Sequence, residues 1–154
     1  MKKRGISAIR QLSYLALACS VLLIIFATIL FTMPITFAPY QHVLNLKPFG
    51  WLSEPNPLKQ FIEHEIPNIM LFVPLGVFLP AVFKKLRRLH RTALIAFLIT
   101  FTVESFQYFI GRSADIDDII ANLLGAIIGY GIFKAFNRFF GNKNWWGKFI
   151  GGLI

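Results

Sequence analysis

Glu104 stands eight residues before Arg112 inside an apolar stretch, and Gln107, three residues on, shares its face if that stretch is helical. A carboxylate within hydrocarbon costs roughly 2.5–3.5 kcal/mol, so it must face protein and find a partner, or keep its proton. Further along, Asp118 and Asn122 have i, i+4 spacing, with Asp115 one turn earlier if the helix starts early. Asn68 opens another apolar run. Two kinds of chemistry suit these residues. Glu104 or Asp118 could act as general acid or base, and Arg112, alone among acids, could grip a phosphate with its planar fork of donors. A plainer role is equally available to them: hydrogen bonds and an ion pair that hold helices together.

The elements that position these groups are set by composition. Of 154 residues 56% are hydrophobic and 15% charged, too apolar for a soluble domain. Residues 12–31 form the clearest run, twenty residues without a charge, long enough to span a bilayer. Ala16-Leu17-Ala18-Cys19 faintly imitates a lipoprotein cleavage site, but the run continues past Cys19 and is expected to remain as a span. Residues 67–83 give a second span, where Pro74 predicts a kink or local break. The third, 92–110, holds Glu104. A fourth starts at Asp117 or Asp118 and ends near Phe133. An all-α bundle of four transmembrane helices follows. The loop between the last two spans is only about seven residues, so they are antiparallel neighbours with their polar ends close together.

Charge gives the expected orientation. Thirteen of the sixteen Lys and Arg residues fall in three segments: Lys2, Lys3, Arg4 and Arg10; Lys84, Lys85, Arg87, Arg88 and Arg91; Lys134, Arg138, Lys143 and Lys148. All seven acids lie across the intervening apolar runs. Cytoplasmic loops carry the positive excess, which predicts both termini inside and the acidic ends outside. The net charge of +9 sits where anionic headgroups would meet it, so the bilayer is the expected partner and nucleic acid is not.

Between the first two spans, the 33–66 loop is expected outside. Asn56-Pro57 starts a short amphipathic helix there, with Leu58, Phe61, Ile62 and Ile66 at helical spacing, and 41–51 reads as a turn dipping into the interface. Residues 134–154 form a basic, aromatic tail bearing Trp145 and Trp146, expected to lie at the cytoplasmic interface. The chain reads as one domain, 1–154. Cys19 is the only cysteine, so no intrachain disulfide or Cys-based zinc cluster can form.

The chain resembles the VanZ-like family of bacterial membrane proteins. The likeness is carried by Asn45-Leu46-Lys47-Pro48-Phe49, by Asn68-Ile69-Met70-Leu71-Phe72-Val73-Pro74-Leu75-Gly76, and by Glu104-Ser105-Phe106-Gln107. It continues through Arg112-Ser113-Ala114-Asp115-Ile116-Asp117-Asp118 and Asn122-Leu123-Leu124-Gly125, so that order and spacing hold over 45–131. The tail after Lys143 is not part of that pattern. The resemblance implies a four- or five-helix protein of the bacterial plasma membrane, associated with low-level resistance to the lipid-bearing glycopeptide teicoplanin. It carries over Asn68, Glu104, Gln107, Arg112, Asp115, Asp118 and Asn122 as motif residues.

Three functions are expected to compete. The first is a non-enzymatic envelope protein whose outer-leaflet polar pocket, made of those seven residues, binds a lipid headgroup, a lipid-linked cell-wall precursor or a membrane protein partner. The second is a membrane-embedded hydrolase or transferase using Glu104 or Asp118 with Arg112, His64 being the weaker candidate. No nucleophilic Ser or Cys stands beside a base and no metal-ligand spacing occurs, so neither cofactor nor metal is expected, although Glu104, Asp115 and Asp118 could offer oxygens to a divalent ion. The third is a small transporter with an intramembrane acid as proton carrier.

Overall fold

A computed structural model describes residues 7–30 and 43–151. Lys2, Lys3, Arg4, the last residue of the first expected span, 33–42 of the expected outer loop and 152–154 of the expected tail fall outside them. The bundle is built from α1 (Ala8–Ile25), α3 (Ile66–Val82), α4 (Leu89–Phe109) and α5 (Ile116–Phe140), with a one-turn α2 (Pro57–Gln60) and a short α6 (Asn144–Phe149). Two dipeptides, β1 (Leu44–Asn45) and β2 (Ala114–Asp115), pair in parallel. Four stretches, Ala8–Thr28, Pro57–Val82, Leu89–Phe109 and Ile116–Phe140, are long and apolar enough to cross a membrane.

The burial pattern inverts that of a soluble bundle. On α1 the leucines Leu12, Leu15 and Leu22 are exposed, while Ser13 and Ser20 are buried. Serine and threonine inside with leucine outside is the arrangement expected when the surrounding solvent is lipid, because packing and hydrogen bonds rather than hydrophobicity join the helices. Helix α3 lies deepest, with Phe72, Leu75 and Leu79 in a core shared with Ile24 of α1, Ala96 and Val103 of α4, and Ala126 of α5.

Helices α3 and α5 touch backbone to backbone. A methyl group on Gly125 would run into the Ile69 carbonyl, one on Gly129 into that of Val73, and one on Gly76 into that of Ala126. Small residues at four-residue spacing are what such an approach requires. The expected break at Pro74 is not there, since α3 runs unbroken through Pro74 and Pro80. The packing on α5 holds the backbone where proline removes a donor. The irregular turn comes earlier, at Phe61–Glu65, a wide turn in which the Ile66 N–H reaches back to the Phe61 carbonyl. The expected amphipathic helix is therefore continuous with the second span through this turn, not a separate element.

At the basic end two arginines close the fold. The last carbonyls of a helix lack intrahelical partners. Arg10 donates to the carbonyls of Ala81 (2.9 Å), Val82 (2.6 Å) and Phe149 (2.9 Å), and Arg87 to those of Pro80 (3.2 Å) and Ile150 (2.7 Å). The expected tail begins inside α5, which runs on to Phe140, and its remainder is docked against the bundle: Trp146 and Ile150 are buried with Ala81 and Phe133, while Trp145 stays exposed.

Candidate functional site

The opposite, acidic end gathers the polar residues, and the backbone explains how. One face of α4 buries Thr92, Ala96, Thr100, Val103, Glu104 and Gln107 at three- and four-residue intervals. Helix α4 stops at Phe109, and Gly111 takes φ 85°, a left-handed conformation glycine adopts without a Cβ penalty. That reversal lets the Arg112 N–H bond the Gln107 carbonyl at 2.9 Å and turns the Arg112 side chain back over the bundle. Its Nη1 donates to the Thr28 carbonyl at 3.0 Å, and Gln107 Nε2 donates to the same oxygen at 2.7 Å.

The start of α5 is equally determined. Asp115 caps the helix, its Oδ1 accepting from the Asp117 N–H at 2.9 Å, and its Oδ2 accepts from Asn45 Nδ2 at 2.8 Å. Its own N–H donates to Glu104 Oε2 at 3.2 Å. Asp117 takes the backbone N–H groups of Phe49 (2.6 Å) and Gly50 (3.1 Å), fixing a turn in which Phe49 has φ 58°. Asp118 points the other way and accepts from Asn68 Nδ2 of α3 at 2.5 Å. One turn on, Asn122 donates to Thr100 Oγ1 at 2.9 Å. Acids in the first turn of α5 also sit favourably against the positive end of its dipole.

Six of the seven residues singled out from sequence, namely Asn68, Glu104, Gln107, Arg112, Asp118 and Asn122, line one open cleft of about 550 Å³. The seventh, Asp115, does not reach it. Its carboxylate is spent on capping α5 and tethering β1, and it borders instead a second, apolar groove of about 460 Å³ with Leu44, Phe97, Phe101 and Tyr108. Glu104 borders both spaces. His64 and Glu63, carried by the wide turn before α3, stand in the wall of the polar cleft rather than in a detached loop.

Several members of this site escaped the sequence reading. Thr28 contributes a backbone carbonyl, which no side-chain pattern reveals. Thr100 was visible in principle, being four residues before Glu104 and so on its face. Asp117 shares its face with Ala121, four residues on, and its work is to hold the Phe49 turn. Among the described residues no three His, Cys, Asp or Glu side chains converge as metal ligands. The divalent-ion arrangement of Glu104, Asp115 and Asp118 fails because Asp115 faces away.

Comparison with known proteins places this geometry in context. The VanZ/LLP1 family model matches residues 13–137. Protein VanZ of Enterococcus faecium is similar to the chain, 30% identical over 108 residues, which is 70% of this chain and 62% of that protein. The matched region thus spans less than two thirds of that relative's length. No solved structure matches.

Proposed function

The chain belongs to the VanZ/LLP1 family of multi-pass membrane proteins, and from that premise we propose that it acts without catalysis in the bacterial cytoplasmic membrane. Its polar cleft opens at the outer leaflet and binds a lipid headgroup, or the polar part of a lipid-linked envelope precursor. Occupancy of that ligand lowers susceptibility to teicoplanin-type lipoglycopeptides. The observation that carries the reading is the open polar cleft itself at one end of an otherwise apolar bundle. Helix association needs one or two polar contacts between neighbours, whereas here six polar side chains from α3, α4, the loop after it and α5 converge on a space rather than on each other alone. The outward orientation rests on the described basic residues Arg10, Lys84, Lys85, Arg87, Arg88 and Arg91, at the other end.

The test is teicoplanin susceptibility of a sensitive host carrying the wild-type protein or Glu104→Gln, with membrane abundance measured in parallel. Protection by the wild type and its loss in the variant, at equal abundance, is the expected result. Equal protection by both would contradict the reading.

A further inference from the structure

The cleft has more acceptors than its own donors can satisfy, and this identifies what it takes. Gln107 is 4% exposed, and its Nε2 donates to the Thr28 carbonyl, an atom that can only accept. The amide orientation is therefore fixed by chemistry, and its Oε1 is a buried acceptor with no partner. Asn122, 1% exposed, meets the Thr100 hydroxyl, a group that can accept or donate, so that with Nδ2 on Thr100 its Oδ1 is a second buried acceptor with no partner. A buried acceptor left unsatisfied costs about 1–3 kcal/mol, so native proteins rarely keep two in one place unless something else fills them.

The charges around these two oxygens point the same way. Carboxylates of Glu104 and Asp118 line the cleft, with that of Glu63, which pairs with Lys59 at 3.9 Å, and beside them stand the His64 ring and the guanidinium of Arg112, which donates to Thr28. A bare anion entering would meet the carboxylates of Glu104 and Asp118 and the two amide oxygens. A cation bearing N–H groups would meet complementary partners throughout. We infer that the cleft recognises a primary ammonium group, with Gln107 Oε1 and Asn122 Oδ1 as neutral acceptors and Glu104 and Asp118 as its counter-charges. This rests on the headgroup reading above and narrows it from any polar headgroup to an amine-bearing one. The ammonium could belong to a phospholipid headgroup or to a soluble amine; the recognition chemistry is the same.

Native mass spectrometry of the detergent-purified full chain tests this with phosphatidylethanolamine, phosphatidylcholine and phosphatidylglycerol of identical chains, and with soluble phosphoethanolamine. Phosphatidylethanolamine should be retained at least about tenfold better than phosphatidylcholine, whose methyl groups remove the N–H donors while keeping the charge. In Glu104→Gln, and separately in Gln107→Met, that preference should collapse, so that the failure of either variant to fold leaves the other as a test. Soluble phosphoethanolamine binding as well as the lipid would assign the amine to a soluble ligand and support the proposal. Phosphatidylglycerol retained over phosphatidylethanolamine would overturn the amine assignment while leaving headgroup binding intact. Retention of none of the four probes would overturn both.

Discussion

Gln107 and Arg112 donate to one and the same acceptor, the Thr28 carbonyl, at 2.7 and 3.0 Å. A single oxygen at the end of the first span is thereby held from two sides by the end of the third. About 12 Å of helical rise separates Glu104 from Arg112 along a continuous helix, so the reversal at Gly111 is what makes the convergence on one cleft feasible.

Arg112 should not tolerate lysine. A lysine ammonium lacks the planar fork whose Nη1 holds the Thr28 carbonyl at 3.0 Å. Arg112→Lys is expected to accumulate normally in membranes, read by immunoblot, while losing most protection against teicoplanin. Full protection would show that a point charge suffices there.

The glycine contacts predict a stability effect with no direct part in binding. In Gly125→Ala the new methyl meets the Ile69 carbonyl, backbone that cannot move without shifting α3. Overpacking of this kind costs about 1–3 kcal/mol, so thermal unfolding in detergent should come at a lower temperature. Gly131→Ala, where a methyl group meets nothing within 4 Å, should leave the transition where it is.

Arg87 predicts a similar loss at the other end. Burial, and next to it the neighbouring charge of Arg10, pulls its pKa below the usual arginine value. For a base whose folded pKa is lowered, stability rises only as pH climbs through the alkaline window between the folded and unfolded values. Arginine titrates so high that no change is expected between about pH 5 and 9. Arg87→Met strands the Pro80 and Ile150 carbonyls, each costing about 1–3 kcal/mol, and should release the tail to protease. A tail as resistant as in the wild type would show that Trp146 and Ile150 dock it unaided.

Orientation is checked by cysteine labelling after Cys19→Ala. Lys47→Cys, at the acidic end, should react with an impermeant maleimide added to intact cells, and Lys85→Cys, at the basic end, only after lysis. Both positions are exposed, so silence at either is not a matter of burial. The reverse pattern would put the cleft at the inner leaflet.

Much of this was legible in the sequence, for physical reasons. Charge-free runs reveal spans, and an acid within one, such as Glu104, reveals an inward face. Spacing on one helix placed Asp118 beside Asn122. What spacing cannot carry is pairing between distant segments. The Asn45–Asp115 bond and the seating of the Phe49 turn on Asp117 join residues about seventy positions apart, and they decide that Asp115 is structural while Asp118 faces the cleft. The break expected at Pro74 is absent because proline's cost is local, whereas the contact with α5 that keeps α3 continuous is not.

The central claim is that the cleft, and not merely the bundle, performs the function. Asp118→Asn isolates it, because an asparagine carbonyl can still accept from Asn68 Nδ2 while the charge is gone. The decisive measurement is the teicoplanin concentration that inhibits cells producing Asp118→Asn or wild-type protein at matched membrane abundance. The variant is expected to protect no better than empty vector. Protection equal to wild type would contradict it and reduce the polar cluster to a means of holding helices together.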